Sequence, residues 1–157
     1  MPRHVQGAPN GEGVRIGVAV ARFNQAVTDP MLAGALDALR KHGVADDAID
    51  VATVPGCFEL PIVAQRMANA GRYEAVVCLG AVVRGETPHF EFVAREAARG
   101  IGEVARRFDL PVVFGVLTTD TMEQALARAG GERGNKGYEA AVTALEMVRV
   151  LRGLQEY

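Results

Sequence analysis

The residues best able to do chemistry gather in one stretch, Gly80-Ala-Val-Val-Arg-Gly-Glu-Thr-Pro-His-Phe-Glu-Phe-Val93. It starts as an apolar run, breaks at Gly85, and presents Glu86, Thr87 and His89 as the chain enters a helix at about Pro88. An imidazole can transfer protons near neutral pH. A hydroxyl beside the free amide groups of a helix start makes an anion site. Similar groups follow other apolar runs. Phe23 offers a flat face for stacking a planar ring. The turn Gly56-Cys57-Phe58-Glu59 offers backbone donors and one carboxylate. Phe114 lies in a later run, and Arg128 and Lys136 follow it. Arg128 could bind a phosphate with its two-pronged guanidinium.

Each residue has a plainer reading. A phenylalanine after a strand is usually local packing, Glu59 could merely complement a helix dipole, and His89 could decorate a helix start. Their coincidence past the carboxyl ends of successive strands favours function, because parallel α/β sheets bind ligands there. No Ser–His or Cys–His pairing is evident, and no Cys/His cluster has metal-ligand spacing. What remains is proton-shuttled condensation or elimination on a phosphorylated substrate beside a planar one.

The elements that must position these groups can be read from periodicity. Val14–Val20, Ile49–Pro55, Glu74–Val83 and Pro111–Thr118 read as strands. The second alternates like an edge strand, and the third is apolar nearly throughout, as a strand covered on both faces must be. Helices are expected from Asn24, as N-cap, to about His42, with Leu32, Ala35, Leu36 and Leu39 as the apolar stripe and Pro30 in a capped or distorted first turn. Others run from the Glu59 turn to about Ala70, from Pro88 to about Phe108, from Thr121 to Arg128, and from Lys136 to about Leu154. Gly43 and Gly71 stop the first two. This order predicts a flavodoxin-like α/β/α sandwich on a central four-stranded parallel sheet, in one domain spanning 1–157. The last two helices are too apolar for one monomer's surface, which predicts a tight homo-oligomer. Residues 1–13 are expected to be loose alone, or to form an arm that adds to a neighbour's sheet.

The totals are ordinary. The chain has 157 residues, 49% hydrophobic and 23% charged, with a net charge of −2. Nothing predicts general attraction to nucleic acid or anionic membrane, and no apolar run approaches a membrane span. The start of the sequence does not read as a secretory signal. Cys57 and Cys78 are expected as buried, reduced thiols in a cytoplasmic protein.

Several motifs in order resemble the 6,7-dimethyl-8-ribityllumazine synthase family of riboflavin biosynthesis. They are Ala21-Arg-Phe-Asn24, Val54-Pro-Gly-Cys-Phe-Glu-Leu-Pro61, Gly80 to Phe90, Gly115-Val-Leu-Thr-Thr-Asp120, Glu123-Gln-Ala125 and Asn135-Lys-Gly-Tyr-Glu-Ala-Ala141. The resemblance implies a condensation of 5-amino-6-(D-ribitylamino)uracil with 3,4-dihydroxy-2-butanone 4-phosphate, without a cofactor. It implies that Phe23 stacks on the pyrimidine and that Cys57, Phe58, Glu59, Ala81, Val82 and Val83 hold the ring and ribityl chain. Glu86, Thr87 and Arg128 would hold the phosphate, and His89 would move protons. Phe114 and Arg128 would come from an adjacent subunit, with Lys136 and Glu139 nearby in support. Cys57 departs from the alanine more usual there, which suggests a site sensitive to oxidation. The family also implies homopentamers. The short Gly130–Gly134 turn resembles that of members which close into icosahedral 60-mers, and riboflavin synthase is an implied partner. Two rival readings are weaker. A non-catalytic carrier or scaffold would need neither His89 nor the anion set, and a response regulator needs acidic residues where Ala21-Arg22-Phe23 stands.

Overall fold

A computed structural model of the chain describes residues 1–156. The strands are β1 (Ile16–Ala21), β2 (Ile49–Val54), β3 (Ala75–Val83) and β4 (Val112–Thr119), each within two residues of the expected bounds. They form one parallel sheet in the order β2-β1-β3-β4. The main helices are α1 (Gln25–Lys41), α2 (Leu60–Asn69), α3 (His89–Phe108) and α5 (Lys136–Gln155). A short helix, α4 (Met122–Ala127), and a small hairpin of β5 (Ala129–Gly131) and β6 (Gly134–Asn135) connect β4 to α5.

Strand alternation sorts the core into layers. Ile16, Val18, Val20, Val77 and Leu79 point to the face covered by α1 and α5. Ala19, Ala21, Val76 and Cys78 point to the opposite face, under α2 and α3. A third cluster of Val27, Met31, Ala81, Leu117 and Ala125 closes the carboxyl end beneath α4. As an edge strand should, β2 keeps only Val54 fully buried.

Three expectations about the first helix need correction. Asn24 stands before α1, but its side chain does not cap the helix. The residue is left-handed (φ 65°), and its side-chain amide donates to the Ala81 carbonyl at 2.9 Å. Asparagine tolerates this backbone conformation better than most residues. Pro30 is not in the first turn of α1 but inside the helix, and its carbonyl accepts from the Asn135 amide at 3.0 Å. The apolar stripe of α1 is rotated: Val27, Met31, Ala35, Ala38 and Leu39 are buried, while Leu32 and Leu36 are only partly covered.

Residues 1–13 make contacts within the chain. They lie along α5, where the Arg149 guanidinium donates to the Asn10 carbonyl at 2.7 Å and Arg3 donates to the Gly153 carbonyl. Gly7 sits hard against the backbone of Glu146. Helix α5 therefore consumes most of its apolar girth within the chain, on α1, the sheet and this arm. Met147 and Leu154 stay exposed, as do Phe23, Phe58, Ile62 and Phe92 on other elements. Among the described residues no helix is long and apolar enough to cross a membrane.

The two helices on the first face cross very closely. A Cβ at Gly137 would run into the backbone carbonyl of Met31, and one at Gly34 into the Asn135 side chain. Backbone cannot yield as a side-chain tip does. Overpacking a core ordinarily costs 1–3 kcal/mol, so Gly137→Ala should cost about 3 kcal/mol. The expected result is a lower urea midpoint with an unchanged slope.

Candidate functional site

The carboxyl edge of the sheet carries a cavity of about 610 Å³. Each wall comes from a different loop. After β1, the backbone continues to pair with the segment after β2: Arg22 N–H donates to the Val54 carbonyl at 2.9 Å and Phe23 N–H to that of Pro55 at 3.0 Å. This holds Phe23 beside the Gly56 turn, with the residue 71% exposed. Residues Cys57–Glu59 form a 3-10 turn that runs straight into α2, with Pro61 in the first turn of that helix. Phe58 is left 53% exposed at the rim, while Cys57 is buried and Glu59 half-buried. The third wall is the end of β3, Ala81, Val82 and Val83, followed by Gly85, Thr87 and His89. His89 is the first residue of α3.

The floor is unusually tight. A Cβ on Gly80 would collide with Cys57 Sγ, whereas its next neighbours, Leu60 Cδ1 and Ala21 Cβ, stand at 3.4 and 3.5 Å. The thiol thus occupies the room a larger residue 80 would need. Burial is the main cause that pushes the Cys57 thiol up to about 11. A hydrogen bond from the Ala81 N–H to its sulfur pulls slightly the other way, and the Glu59 charge adds a little to the rise. Burial likewise pushes Cys78 up to about 12. Both are neutral thiols at pH 7, and reactivity belongs to the thiolate. The expected sensitivity to oxidation therefore does not follow. Cys57 acts here as a packing residue and hydrogen-bond acceptor.

Of the residues singled out in the sequence, Phe23, Cys57, Phe58, Glu59, Ala81, Val82, Val83, Thr87 and His89 line this one cavity. Phe114 and Arg128 do not. They line a second cavity of about 590 Å³, with Arg84, Arg95, Thr118, Asp120 and Gln124. Phe114 sits near the start of β4, opposite Cys78 of β3, and not past a strand end. The Arg128 guanidinium donates to the Gln124 carbonyl at 2.9 Å. Glu86 is exposed and lines neither cavity; nor do Lys136 and Glu139, which lie in the first turn of α5. One ring separates the two cavities: Phe90 lines both.

Three contributors were missed in the sequence. Asn24 lines the first cavity and ties the loop after β1 to the end of β3. Asparagine three residues past a buried strand was the available signal, and capping was the commoner reading. Neither Phe90 nor Arg84 stands out in the sequence; only the fold shows that Phe90 lines both cavities, with the Arg84 guanidinium over its ring. Among the described residues no group of three or more His, Cys, Asp or Glu is arranged to hold a metal ion.

A four-stranded parallel sheet with an aromatic-rimmed pocket at its carboxyl edge, beside an imidazole and a helix start, defines a flavodoxin-like protein with a small-molecule site. Comparison with known proteins makes this specific. The family model described as 6,7-dimethyl-8-ribityllumazine synthase matches residues 13–152. A protein of Desulfatibacillum aliphaticivorans with that name is 53% identical over 150 residues, covering 96% of this chain and 97% of the relative. The chain belongs to the 6,7-dimethyl-8-ribityllumazine synthase family.

The Gly80–Cys57 contact gives a direct test of the pocket floor. Gly80→Ala should cost about 1–3 kcal/mol by overpacking. The same change in a Cys57→Ala background should be nearly neutral, because the sulfur it strikes is gone. A double-mutant cycle by urea unfolding would measure a coupling energy of about that size. Simple additivity would show that the contact is relieved elsewhere.

Proposed function

We infer that the cavity at the ends of β1, β2 and β3 is where this chain carries out the reaction of its family: condensation of 5-amino-6-(D-ribitylamino)uracil with 3,4-dihydroxy-2-butanone 4-phosphate to 6,7-dimethyl-8-ribityllumazine, the penultimate step of riboflavin biosynthesis. The observation that carries this reading is the joint lining of one cavity by Phe23, Glu59, Thr87 and His89. Phe23 exposes an apolar ring at the rim. Covering ~60 Å² of it with a flat pyrimidine would contribute about 1.5 kcal/mol. The half-buried Glu59 carboxylate and the backbone around Ala81–Val83 then meet the polar edge of the ring and the ribityl hydroxyls.

The phosphate end is a problem of sign. Glu86 carries a negative charge, so it assists a phosphate through its backbone N–H and not its carboxylate. That amide, Thr87 and the start of the 20-residue helix α3 form an anion cradle. Arg128 supplies the countercharge only if it comes from another copy, because within one chain it lines the other cavity. The same holds for Phe114, which would close the pyrimidine pocket from the neighbouring side. We therefore place the complete site between subunits of a homopentamer, with Lys136 and Glu139 in support. The short turn at 130–134 supports closure of pentamers into an icosahedral 60-mer, able to enclose riboflavin synthase, in the cytoplasm. Light scattering of the native particle tests the assembly, and a monomer would remove the interface site.

His89 is the proton carrier in this reading. The amine of the pyrimidine attacks the ketone and water leaves as the imine forms. Loss of a proton from carbon then expels phosphate, and attack by the second amine closes the ring with loss of a second water. Every stage moves a proton between carbon, nitrogen and oxygen. An imidazole at the cavity edge, between the anion cradle and the ring, can reach each of them. The full assay mixes both substrates and reads lumazine fluorescence with phosphate release.

His89→Ala should lower kcat about 10²-fold or more while changing either KM little. Equal activity would make His89 a structural residue. Arg128→Ala should raise KM for the butanone phosphate by about tenfold or more. A change confined to the pyrimidine would refute its assignment.

A further inference from the structure

The loop that carries Thr87 and His89 has little beneath it. Residues 84–89 are all exposed, and a Cβ on Gly85 would meet no atom within 4 Å. Among the described residues, the side chains of Glu86, Thr87 and His89 make no hydrogen bond or ion pair. A loop in this state cannot hold an imidazole to the fraction of an ångström that proton transfer requires, unless something fixes its ends.

Arg84 touches both ends. It is the first residue past β3, and its backbone N–H donates to the carbonyl of Thr119, the last residue of β4, at 2.8 Å. Its Nε donates to Asp120 Oδ1 at 2.8 Å, and its Nη1 stands 3.8 Å from Glu91 Oε1. The same guanidinium lies over the ring of Phe90, 4.5 Å from the ring centre. Phe90 and Glu91 belong to the first turn of α3, immediately after His89. One side chain therefore spans the loop from its entry to its exit and anchors both to the end of β4.

We propose that Arg84 is a positioning residue: it braces the Gly85–His89 loop so that Thr87 and His89 face the cavity. Stability does not explain the contact. The arginine and aspartate side chains are 48% and 68% exposed, and ion pairs so exposed add little to folding. The arrangement also needs an arginine. A planar guanidinium can stack on Phe90 while its edge bonds Asp120, and a lysine ammonium cannot do both. Since Phe90 lines both cavities, the brace also keeps the partition between them in place.

This inference rests on the cavity being the site of the lumazine-forming reaction, and the test separates the two. Arg84→Ala, Arg84→Lys and Asp120→Asn are assayed beside the wild type, with each substrate varied in turn and melting temperature recorded. Arg84→Ala should raise KM for the butanone phosphate and lower kcat, each by about tenfold, while KM for the pyrimidine stays within about twofold. Arg84→Lys should recover little of this loss, and Asp120→Asn should fall in between. Combined with Thr87→Ala, the loss should be smaller than the product of the two single losses, since both act on one loop. An inactive wild type would refute the site itself. An active wild type with an Arg84→Ala variant that is unchanged, equally impaired for both substrates, or fully rescued by lysine would overturn the brace. So would a fall in melting temperature that tracks the loss of activity.

Discussion

Strand β3 is confined on every side. It is hydrogen-bonded to β1 along one edge and to β4 along the other, and helices cover both of its faces. Its backbone is laddered to β1 as far as Leu79 and to β4 as far as Val83, and a polar side chain anywhere before its end would lie unpaired in a dry interior, at a cost of several kcal/mol. From Ala75 to Val82 the strand is accordingly apolar and buried. Chemistry can begin only where the strand leaves the sheet. The change from Val83 to Arg84-Gly85-Glu86-Thr87 is therefore abrupt, and the loops after β1 and β2 are drawn to the same edge.

The same confinement sets how close the surrounding layers must come. Cys57 fits over β3 only because residue 80 has no side chain, and α5 approaches β4 only because residue 115 has none. A Cβ at Gly115 would stand 2.9 Å from that of Ala140 and 2.8 Å from the Cys78 carbonyl. On the opposite face α3 meets α2 through Gly100, where a Cβ would stand 2.7 Å from Pro61. Glycine here is a spacing device, and its conformational freedom is incidental.

Much of this could be read from sequence because period-2 and period-3.6 patterns survive burial. The continuous apolar run of β3, the alternation of β2 and the glycine stops at Gly43 and Gly71 each mark a local event. Long-range partners left no such mark. Asn24 before a helix looks like a cap in any window, and only the proximity of the Ala81 carbonyl makes it a tie between two loops. Pro30 looks like a first-turn residue until the helix is seen to start at Gln25. The girth of α5 was read against a bare sheet, without the arm at 1–13 that lies on it. Within the site, the strand-end residues were legible as a set. The division of that set into two cavities by Phe90 was not, since residues 23, 58, 89, 114 and 128 carry no sign of which way each faces.

The contact of the arm with α5 also brings the beginning of the chain to its last turn of helix. Arg3 bonds to the Gly153 carbonyl, and Arg152 nearby pairs with Glu74, just ahead of β3. Both ends of the described chain therefore lie at the amino edge of the sheet, across the molecule from the cavities. A short linker could join them, and a new start could be cut in an exposed turn such as that at 130–134. The order of the chain is thus separable from its architecture: a circular permutant would keep every residue that lines the first cavity on the same elements.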